Sequence, residues 1–275
     1  MLAARMSEST GQSVVIDNRP GAGSQIAAAQ LMQAPPDGHT LLIGDIGAFA
    51  INPALYANLS FDPLRDFQPI TTLISAPIVL LVSARSPFNS LEELLVRATR
   101  PQGRLSFASP GVGTGSHLIA EMLRVRTGAN LEHVPYKGVP QATHALLTGE
   151  VDMLFQIVGS AFPLAKADKV RVLAVAAPTR SALLPEIPTT SELGHSDLRM
   201  SPWFGIVARA GTPEAVVARV HREVIAALAH PDTMKRLAEL GFDAVPSAPD
   251  QFERFMREES VRWGQVVRAS GARAN

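Results

Sequence analysis

The chain has 275 residues, 46% of them hydrophobic, and its 25 basic and 25 acidic residues leave no formal net charge at pH 7. This length and composition predict a globular protein with two lobes and sizeable cores. Balanced charge without a basic, aromatic-rich run argues against nucleic acid as a partner, and the absence of cysteine excludes disulfides, thiolate catalysis and cysteine-ligated metal sites.

The chain begins inside a predicted helix. Leu2, Ala3 and Met6 form one apolar face, and Gly11 ends the helix. The first residues lack the apolar core and the cleavage site of an export signal. Because an α/β domain normally places a strand before such a helix, we expect the first strand of this lobe to be missing from the sequence.

Two predicted strands, each followed by a loop of small residues, come next. Residues 14–16 (VVI) form a short continuous apolar run, which indicates a strand covered on both faces. The glycine-rich loop 18–23 (NRPGAG) leads into a helix predicted over 24–33. A second buried strand is predicted over 39–44, and the loop 45–48 follows it. This order of strand, loop and helix is typical of an α/β protein.

The next segment contains two more predicted strands, 68–74 and 77–83. We interpret the second of these as a crossing between the lobes and place the first lobe boundary after residue 83. Ser90 and Glu93 have the spacing of a capping box, which predicts a helix over 91–99.

The stretch 104–128 (RLSFASPGVGTGSHLIAEMLRVRTG) combines a strand, a glycine-rich loop and a helix. The loop, 109–113, lies at the N-terminus of a helix that begins near Gly115, and Gly128 ends that helix. The backbone N–H groups of a first helical turn lack internal partners and the helix dipole is positive there, which suits a carboxylate or phosphate. The loop is neither a dinucleotide fingerprint nor a Walker A motif. The stretch therefore predicts an anion-binding site.

The rest of the chain alternates strands and helices. Strands are predicted over 131–135, 151–158, 170–176 and from 203 to 207, and helices over 139–147, 159–166, 213–229, 231–240 and 248–269. The loop 136–138 repeats the arrangement of the anion-binding stretch. The alternation predicts parallel sheet with helices on both faces.

An enzyme is the main alternative to a binding protein. Five polar side chains lie near predicted strand ends, namely Ser109, Ser116, His117, His133 and Asp152. An α/β hydrolase-like enzyme that uses the serines and the histidine of 109–117 therefore stays open, although the G-x-S-x-G elbow is absent and Ser116 and His117 are adjacent at a helix start. The histidines are scattered without metal-binding spacing, so we expect no metal and no cofactor.

Seven motifs, in order along nearly the whole chain, carry a family resemblance. They are NRPGAG (18–23), PPDGHTLLIG (35–44), FASPGVGTGSHL (107–118), HVPYKGVPQA (133–142), LLPEIPTTSELG (183–194), WFGIVARAGTP (203–213) and EESVRWGQVV (258–267). The chain resembles the Bug-type, TctC-like receptors, which are extracytoplasmic solute-binding proteins of tripartite tricarboxylate transporters.

The resemblance implies a type II periplasmic-binding-protein fold, in which two α/β lobes joined by two crossings close a cleft on a ligand. Lobe 1 would comprise 1–83 and 201–275, without its first strand, and lobe 2 would comprise 84–200. The implied protein is a periplasmic receptor and not an enzyme, has no cofactor, is a monomer, and presents its closed form to membrane transporter subunits. Its ligand would be a small carboxylate: an amino acid, a di- or tricarboxylate, or an aromatic acid.

Similar proteins hold the ligand's carboxylate largely with backbone amides and small hydroxyl residues. Carried onto this chain, the resemblance implies these ligand-binding residues: Gly44, Asp45, Ile46, Gly47 and Ala48 in lobe 1, and Ser109, Gly113, Thr114, His117 and Gly138 in lobe 2. Asp45 would repel a second carboxylate or favour a ligand amine. No catalytic residue is implied.

The start of the chain departs from the family pattern. Members of the family open with an export signal, a strand and a loop that forms part of the ligand cradle, before the helix that here begins at Met1. We therefore also consider that this form of the chain binds no ligand.

Overall fold

The computed structural model describes residues 1–19 and 21–274, so Pro20 of the predicted loop 18–23 lies outside the described residues. The chain divides into two compact units. Unit 1 comprises residues 1–75 and 203–265, and unit 2 comprises residues 76–202 and 266–274. Each unit contains one β-sheet and several helices, which confirms the predicted α/β class.

The predicted strands and helices beyond residue 24 are present, with ends shifted by a few residues. The strands are β1 (Leu41–Asp45), β2 (Phe67–Ser75), β3 (Ile78–Ser83), β4 (Leu105–Ser109), β5 (Leu131–Pro135), β6 (Met153–Ile157), β7 (Val170–Val175), β8 (Trp203–Arg209) and β9 (Asp243–Ala244). The α-helices are α1 (Leu2–Thr10), α2 (Gln25–Gln33), α3 (Asn52–Leu55), α4 (Leu91–Ala98), α5 (Gly115–Thr127), α6 (Val139–Thr148), α7 (Val158–Lys166), α8 (Glu214–Ala229), α9 (Pro231–Glu239) and α10 (Pro249–Ser270).

The sheet of unit 1 has the strand order β1-β8-β2-β9, and its pairings are antiparallel. Apolar side chains of β2, β8, α1 and α8 form a core that includes the buried residues Ile70, Ile206 and Val224. Burial of these aliphatic side chains is the main stabilising term of the unit, since each contributes on the order of 1.5–3 kcal/mol.

Two buried tryptophans of unit 1 share one carboxylate. The indole N–H groups of Trp203 and Trp263 donate to Oε2 of Glu259 at 3.2 and 2.9 Å. Oε1 of Glu259 accepts from Arg262 at 3.1 Å. Each indole therefore keeps its polar atom hydrogen-bonded inside the core, which offsets the cost of burying it.

The sheet of unit 2 has the order β5-β4-β6-β3-β7. β4 runs parallel to β5 and β6, whereas β3 is antiparallel to β6 and β7. The predicted parallel arrangement is therefore correct for β5-β4-β6 and wrong for the rest of the chain. The alternation of strands and helices along the chain does not specify which strands pair, and β3, which follows β2 of unit 1, lies between β6 and β7 in the sheet of unit 2.

The boundaries between the units differ from those predicted. The first lies after Ser75 and not after residue 83, because β3 pairs within the sheet of unit 2. The second lies after Pro202, two residues beyond the predicted position, and residues 266–274 group with unit 2.

The strand predicted over residues 14–16 is wrong. The segment is not part of a strand, and Val15 and Ile16 are 79% and 58% exposed. The edge of β1 that faces away from β8 has no strand beside it in the described structure, so the apolar run does not join the sheet. The segment lines a groove of about 370 Å³ together with residues of α1, β1 and α8.

Within the described ranges, no helix is both long and apolar enough to cross a membrane. The same residues contain no group of three or more histidine, aspartate or glutamate side chains that could hold a metal ion.

Candidate functional site

The first group of predicted site residues, 44–48, lies at the carboxyl end of β1 in unit 1. Asp45 ends the strand, and its Oδ1 accepts a hydrogen bond from the N–H of Ala48 at 3.0 Å. This bond closes the turn into the π-helical segment Gly47–Ile51. The side chains of Ile46 and Ala48 are buried, so these two residues can offer a ligand only their main chain.

Gly44 is required by packing within unit 1. A Cβ atom built on Gly44 would lie 2.4 Å from the ring of Phe49, so the ring occupies the space that a side chain would need. The Phe49 ring in turn stacks on Trp203, with centroids 6.0 Å apart. The contact of Gly44 with a ligand stays a prediction.

The loop after β4 in unit 2 is closed by hydrogen bonds to the carbonyl of Gly111. The hydroxyl groups of Ser109 and Thr114 donate to that oxygen at 2.9 and 2.8 Å. Gly111 and Gly113 have φ values of 146° and 80°, a region that side-chain-bearing residues rarely adopt. Thr114 is the N-cap of α5, and its Oγ1 accepts from the N–H of His117 at 3.4 Å.

His117 holds the loop by its ring. The N–H of Gly113 donates to Nδ1 of His117 at 3.0 Å, so this nitrogen carries no proton and the neutral ring is protonated at Nε2. The residue is only 5% exposed. Burial, with the charges of His133 and Arg124 acting in the same direction, lowers the pKa of His117 from 6.5 to about 4.

His133 is a further member of this network that the predicted ligand-binding set omits. It lies on β5 opposite Phe107 of β4, and its ring stacks on those of Phe107 and His117 with centroids 4.8 and 4.0 Å apart. Nε2 of His133 is 2.6 Å from Oγ of Ser109. Burial lowers the pKa of His133 to about 4.

The pair of Ser109 and His133 resembles a nucleophile with its base, but its surroundings do not suit catalysis. Ser109 is fully buried, and its hydroxyl donates to the carbonyl of Gly111. Its oxygen also accepts from the N–H of Gly111 at 3.2 Å. The hydroxyl is therefore occupied within the loop and has no open path to an incoming substrate.

A second helix begins at the same edge of the sheet. β4 and β5 are parallel, so their carboxyl ends lie side by side, and the N–H of Tyr136 donates to the carbonyl of Ser109 at 2.9 Å. Gly138 is the N-cap of α6 and has a φ of 110°. The loops that precede α5 and α6 are thus joined directly by the main chain.

The structure unites the five predicted site residues of unit 2 at one sheet edge. Ser109, Gly113, Thr114 and His117 belong to one hydrogen-bond network, and Gly138 follows the β5 loop joined to it. Residues 44–48 belong to unit 1. The sequence places His133 in the predicted strand 131–135, but its position opposite Phe107 depends on the pairing of β4 with β5.

Residues 1–272 match the profile of the family described as "Tripartite tricarboxylate transporter family receptor". The chain belongs to this receptor family. A relative from Pseudomonas sp. (strain P51), a UPF0065 protein in the tcbD-tcbE intergenic region, is 37% identical over 268 residues, which are 97% of this chain and 80% of that protein. Protein BugT of Bordetella pertussis is 31% identical over 274 residues, which are 99% of this chain and 84% of BugT.

Solved structures resemble this receptor over nearly its whole length. Rpa4515 of R. palustris with adipate has a TM-score of 0.85 at 33% identity, covering 98% of this chain and 90% of that one. MatC (Rpa3494) from Rhodopseudomonas palustris with bound malate has a TM-score of 0.80 at 33% identity, covering 97% and 92%. The periplasmic binding protein BugD has a TM-score of 0.82 at 30% identity, covering 100% and 92%.

These similarities confirm three sequence-based predictions. The family is the one that the seven motifs indicated, and the fold is that of the periplasmic binding proteins. The receptor is a solute-binding protein and not an enzyme, as its family and its structural neighbours are. The hydrolase alternative is therefore set aside.

Proposed function

We propose that this receptor binds a small carboxylate-bearing metabolite in the periplasm and delivers it to the membrane subunits of a tripartite tricarboxylate-type transporter. The observation that carries the proposal is the meeting of two helix N-termini, those of α5 and α6, at one edge of the sheet of unit 2. Solved relatives with adipate and malate support a ligand of this chemical class.

The main chain at this edge offers several hydrogen-bond donors. In the described structure, the N–H groups of five residues near the two helix starts have no partner within the protein: Val112, Gly115, Ser116, Gly138 and Val139. Main-chain N–H groups at helix N-termini favour a negatively charged ligand, because the positive end of each helix dipole adds to the hydrogen bonds. A carboxylate accepts such bonds with both of its oxygens.

The predicted site residues would then act in two ways. Gly113 and Gly138 provide backbone that approaches a ligand closely, whereas Ser109, Thr114 and His117 fix the shape of the loop. Residues 44–48 would contribute main-chain groups from unit 1, with Asp45 as a negative charge that disfavours a second carboxylate.

A ligand screen tests the proposal. We expect one of malate, adipate, glutamate and nicotinate to bind at pH 7.5 in isothermal titration calorimetry, and the same compound to raise the thermal midpoint. At a ligand concentration of one hundred times Kd, the stabilisation is about 2.7 kcal/mol. If no carboxylate binds, the alternative that this form of the chain binds no ligand is favoured.

A matched pair of variants at Gly115 tests where the carboxylate binds. Gly115→Pro removes one unpartnered N–H and suits the first helical position, because Thr114 before it is extended, with ψ at 158°. Gly115→Ala adds the same Cβ atom, which would lie 2.9 Å from the flexible end of Met200 and 3.6 Å from Ile78, and keeps the N–H. We expect Gly115→Pro to bind the ligand about tenfold more weakly than Gly115→Ala, the size of a hydrogen bond to a charged group. Equal affinities of the two variants would place the carboxylate elsewhere.

A further inference from the structure

We propose that His133 and His117 are positioning residues of the ligand-binding loop 109–114, and that His117 holds the loop in its observed shape only while its imidazole is neutral. Neither ring is required to touch the ligand. The structural part of this inference depends on contacts within unit 2 alone, and its consequence for ligand affinity rests on the proposed function.

The first step concerns the proton between Ser109 and His133. Ser109 donates its one hydroxyl proton to the carbonyl of Gly111 and accepts from the N–H of Gly111. The short contact of 2.6 Å between Oγ of Ser109 and Nε2 of His133 is then a hydrogen bond in which the imidazole N–H donates. His133 thus donates a hydrogen bond to Ser109, which in turn binds both the N–H and the carbonyl of Gly111.

The second step concerns His117, whose role depends on its charge. Its Nδ1 accepts from the N–H of Gly113 at 3.0 Å, and a protonated ring has no lone pair left to accept with. Protonation of His117 would therefore set two donors against each other and release Gly113 from the ring. The cost of leaving a part-buried N–H without a partner disfavours the observed loop shape.

The charges around the two rings favour their neutral form. The rings are stacked with centroids 4.0 Å apart, so a proton on one raises the cost of a proton on the other. On the β4 side the pair meets the apolar ring of Phe107. On α5, Glu121 lies 3.9 Å from Nε2 of His117, but its carboxylate is paired with Arg124 at 2.7 Å, and the two charges largely offset each other.

Two substitutions at His133 separate its hydrogen bond from its stacking. His133→Gln keeps an N–H donor near the position of Nε2, whereas His133→Phe keeps an aromatic ring and loses the donor. In the ligand-free protein, we expect His133→Phe to lower the hydrogen-exchange protection of the Gly111 amide about tenfold, and His133→Gln to change it by no more than about twofold. Nuclear magnetic resonance measures the protection factor of the Gly111 amide in both variants. The affinity for malate should likewise fall more in His133→Phe than in His133→Gln.

The dependence on pH tests the requirement for a neutral His117 ring. We expect the protection factor of the Gly113 amide in the wild-type protein to fall as the pH is lowered from 6.5 towards 4. His117→Asn places a carbonyl oxygen, which accepts at any pH, close to the position of Nδ1, so its protection factor should stay flat over this range. If His117 had only a structural role, the substitution would lower protection of the Gly113 amide at every pH and would leave the pH-dependent fall of the wild type unchanged.

Two results would overturn the inference. One is a His133→Phe protein with wild-type protection at Gly111, and the other is a His117→Asn protein with the same pH-dependent fall at Gly113 as the wild type. Because these measurements need no ligand, they are independent of the proposed function. If the loop responds as expected but no carboxylate binds, the proposed function fails and the positioning roles stand.

Discussion

At the scale of single residues, we propose that Asp45 influences the choice of ligand from unit 1. Its carboxylate accepts a hydrogen bond from the N–H of Ala48 and so belongs to the loop that follows β1. In a ligand-binding position, its negative charge would act against a ligand with two carboxylates and in favour of one with an amine. Asparagine keeps the accepting oxygen and removes the charge, so Asp45→Asn isolates the electrostatic effect.

We expect Asp45→Asn to strengthen the binding of malate by about two- to fivefold, the size of a charge interaction near a protein surface. Glutamate, which carries an amine, should gain less or bind more weakly. Isothermal titration calorimetry measures both affinities. Asp37→Asn is the matched control, because Asp37 is an exposed aspartate of unit 1 that likewise accepts a main-chain hydrogen bond, from His39. Unchanged malate affinity in Asp45→Asn would mean that Asp45 lies away from the ligand.

At the scale of secondary structure, signals that lie close together in the sequence predicted α5 and its loop well. The helix begins at Gly115 and ends at Gly128, which has the left-handed conformation, as the sequence predicted, and Thr114 is its N-cap. The contact of His133 with Ser109 could not be predicted in this way. It depends on the register of β5 against β4, which is set by pairing between segments that are distant in sequence.

The failure of the strand prediction at residues 14–16 has the same cause. An apolar run becomes a strand when a neighbour supplies main-chain partners and covers its side chains. Beside β1 the described structure supplies no such neighbour, and Val15 and Ile16 remain exposed. The local sequence pattern therefore indicated a tendency to form a strand, but it could not show whether a neighbouring strand would be present.

A pair of isoleucine substitutions compares how much an exposed and a buried side chain of unit 1 contribute to the free energy of unfolding. Ile16→Ala, at a side chain that is 58% exposed, should change the free energy of unfolding by less than about 0.5 kcal/mol. Ile70→Ala, at a fully buried position of β2, should cost about 2–5 kcal/mol. Urea denaturation followed by tryptophan fluorescence compares the two in the same unit. A large loss of stability in Ile16→Ala would mean that residues 14–16 are buried in solution.

At the scale of the whole molecule, we expect the buried His117 and the partly buried His133 to make the stability of unit 2 depend on pH. In the unfolded chain a histidine has a pKa near 6.5, whereas in the folded protein burial lowers the pKa of His117 and of His133 to about 4. Between these values the unfolded chain binds more protons than the folded one. The stability that depends on the two neutral histidines is therefore fully present above about pH 6.5 and decreases towards pH 4. The hydrogen bond from Arg65 lowers the pKa of Asp66 below 3.8, so that group acts only at lower pH.

We therefore expect the thermal midpoint of the wild-type protein, measured by differential scanning calorimetry, to decrease between pH 6.5 and pH 4.5. The double variant His117→Asn/His133→Phe lacks both titrating groups and should show a smaller decrease, whatever its absolute midpoint. The quantity to compare is the slope against pH. Equal slopes in the two proteins would assign the acid sensitivity to other residues.

The sharing of Glu259 by Trp203 and Trp263 has a practical consequence for spectroscopy. The chain has two tryptophans, and both lie in unit 1, almost completely shielded from water. Intrinsic tryptophan emission therefore reports on unit 1, and we expect a change confined to the loop between β4 and α5 to leave it unaltered. Fluorescence measurements on that loop therefore need an attached fluorophore or a tryptophan introduced into unit 2.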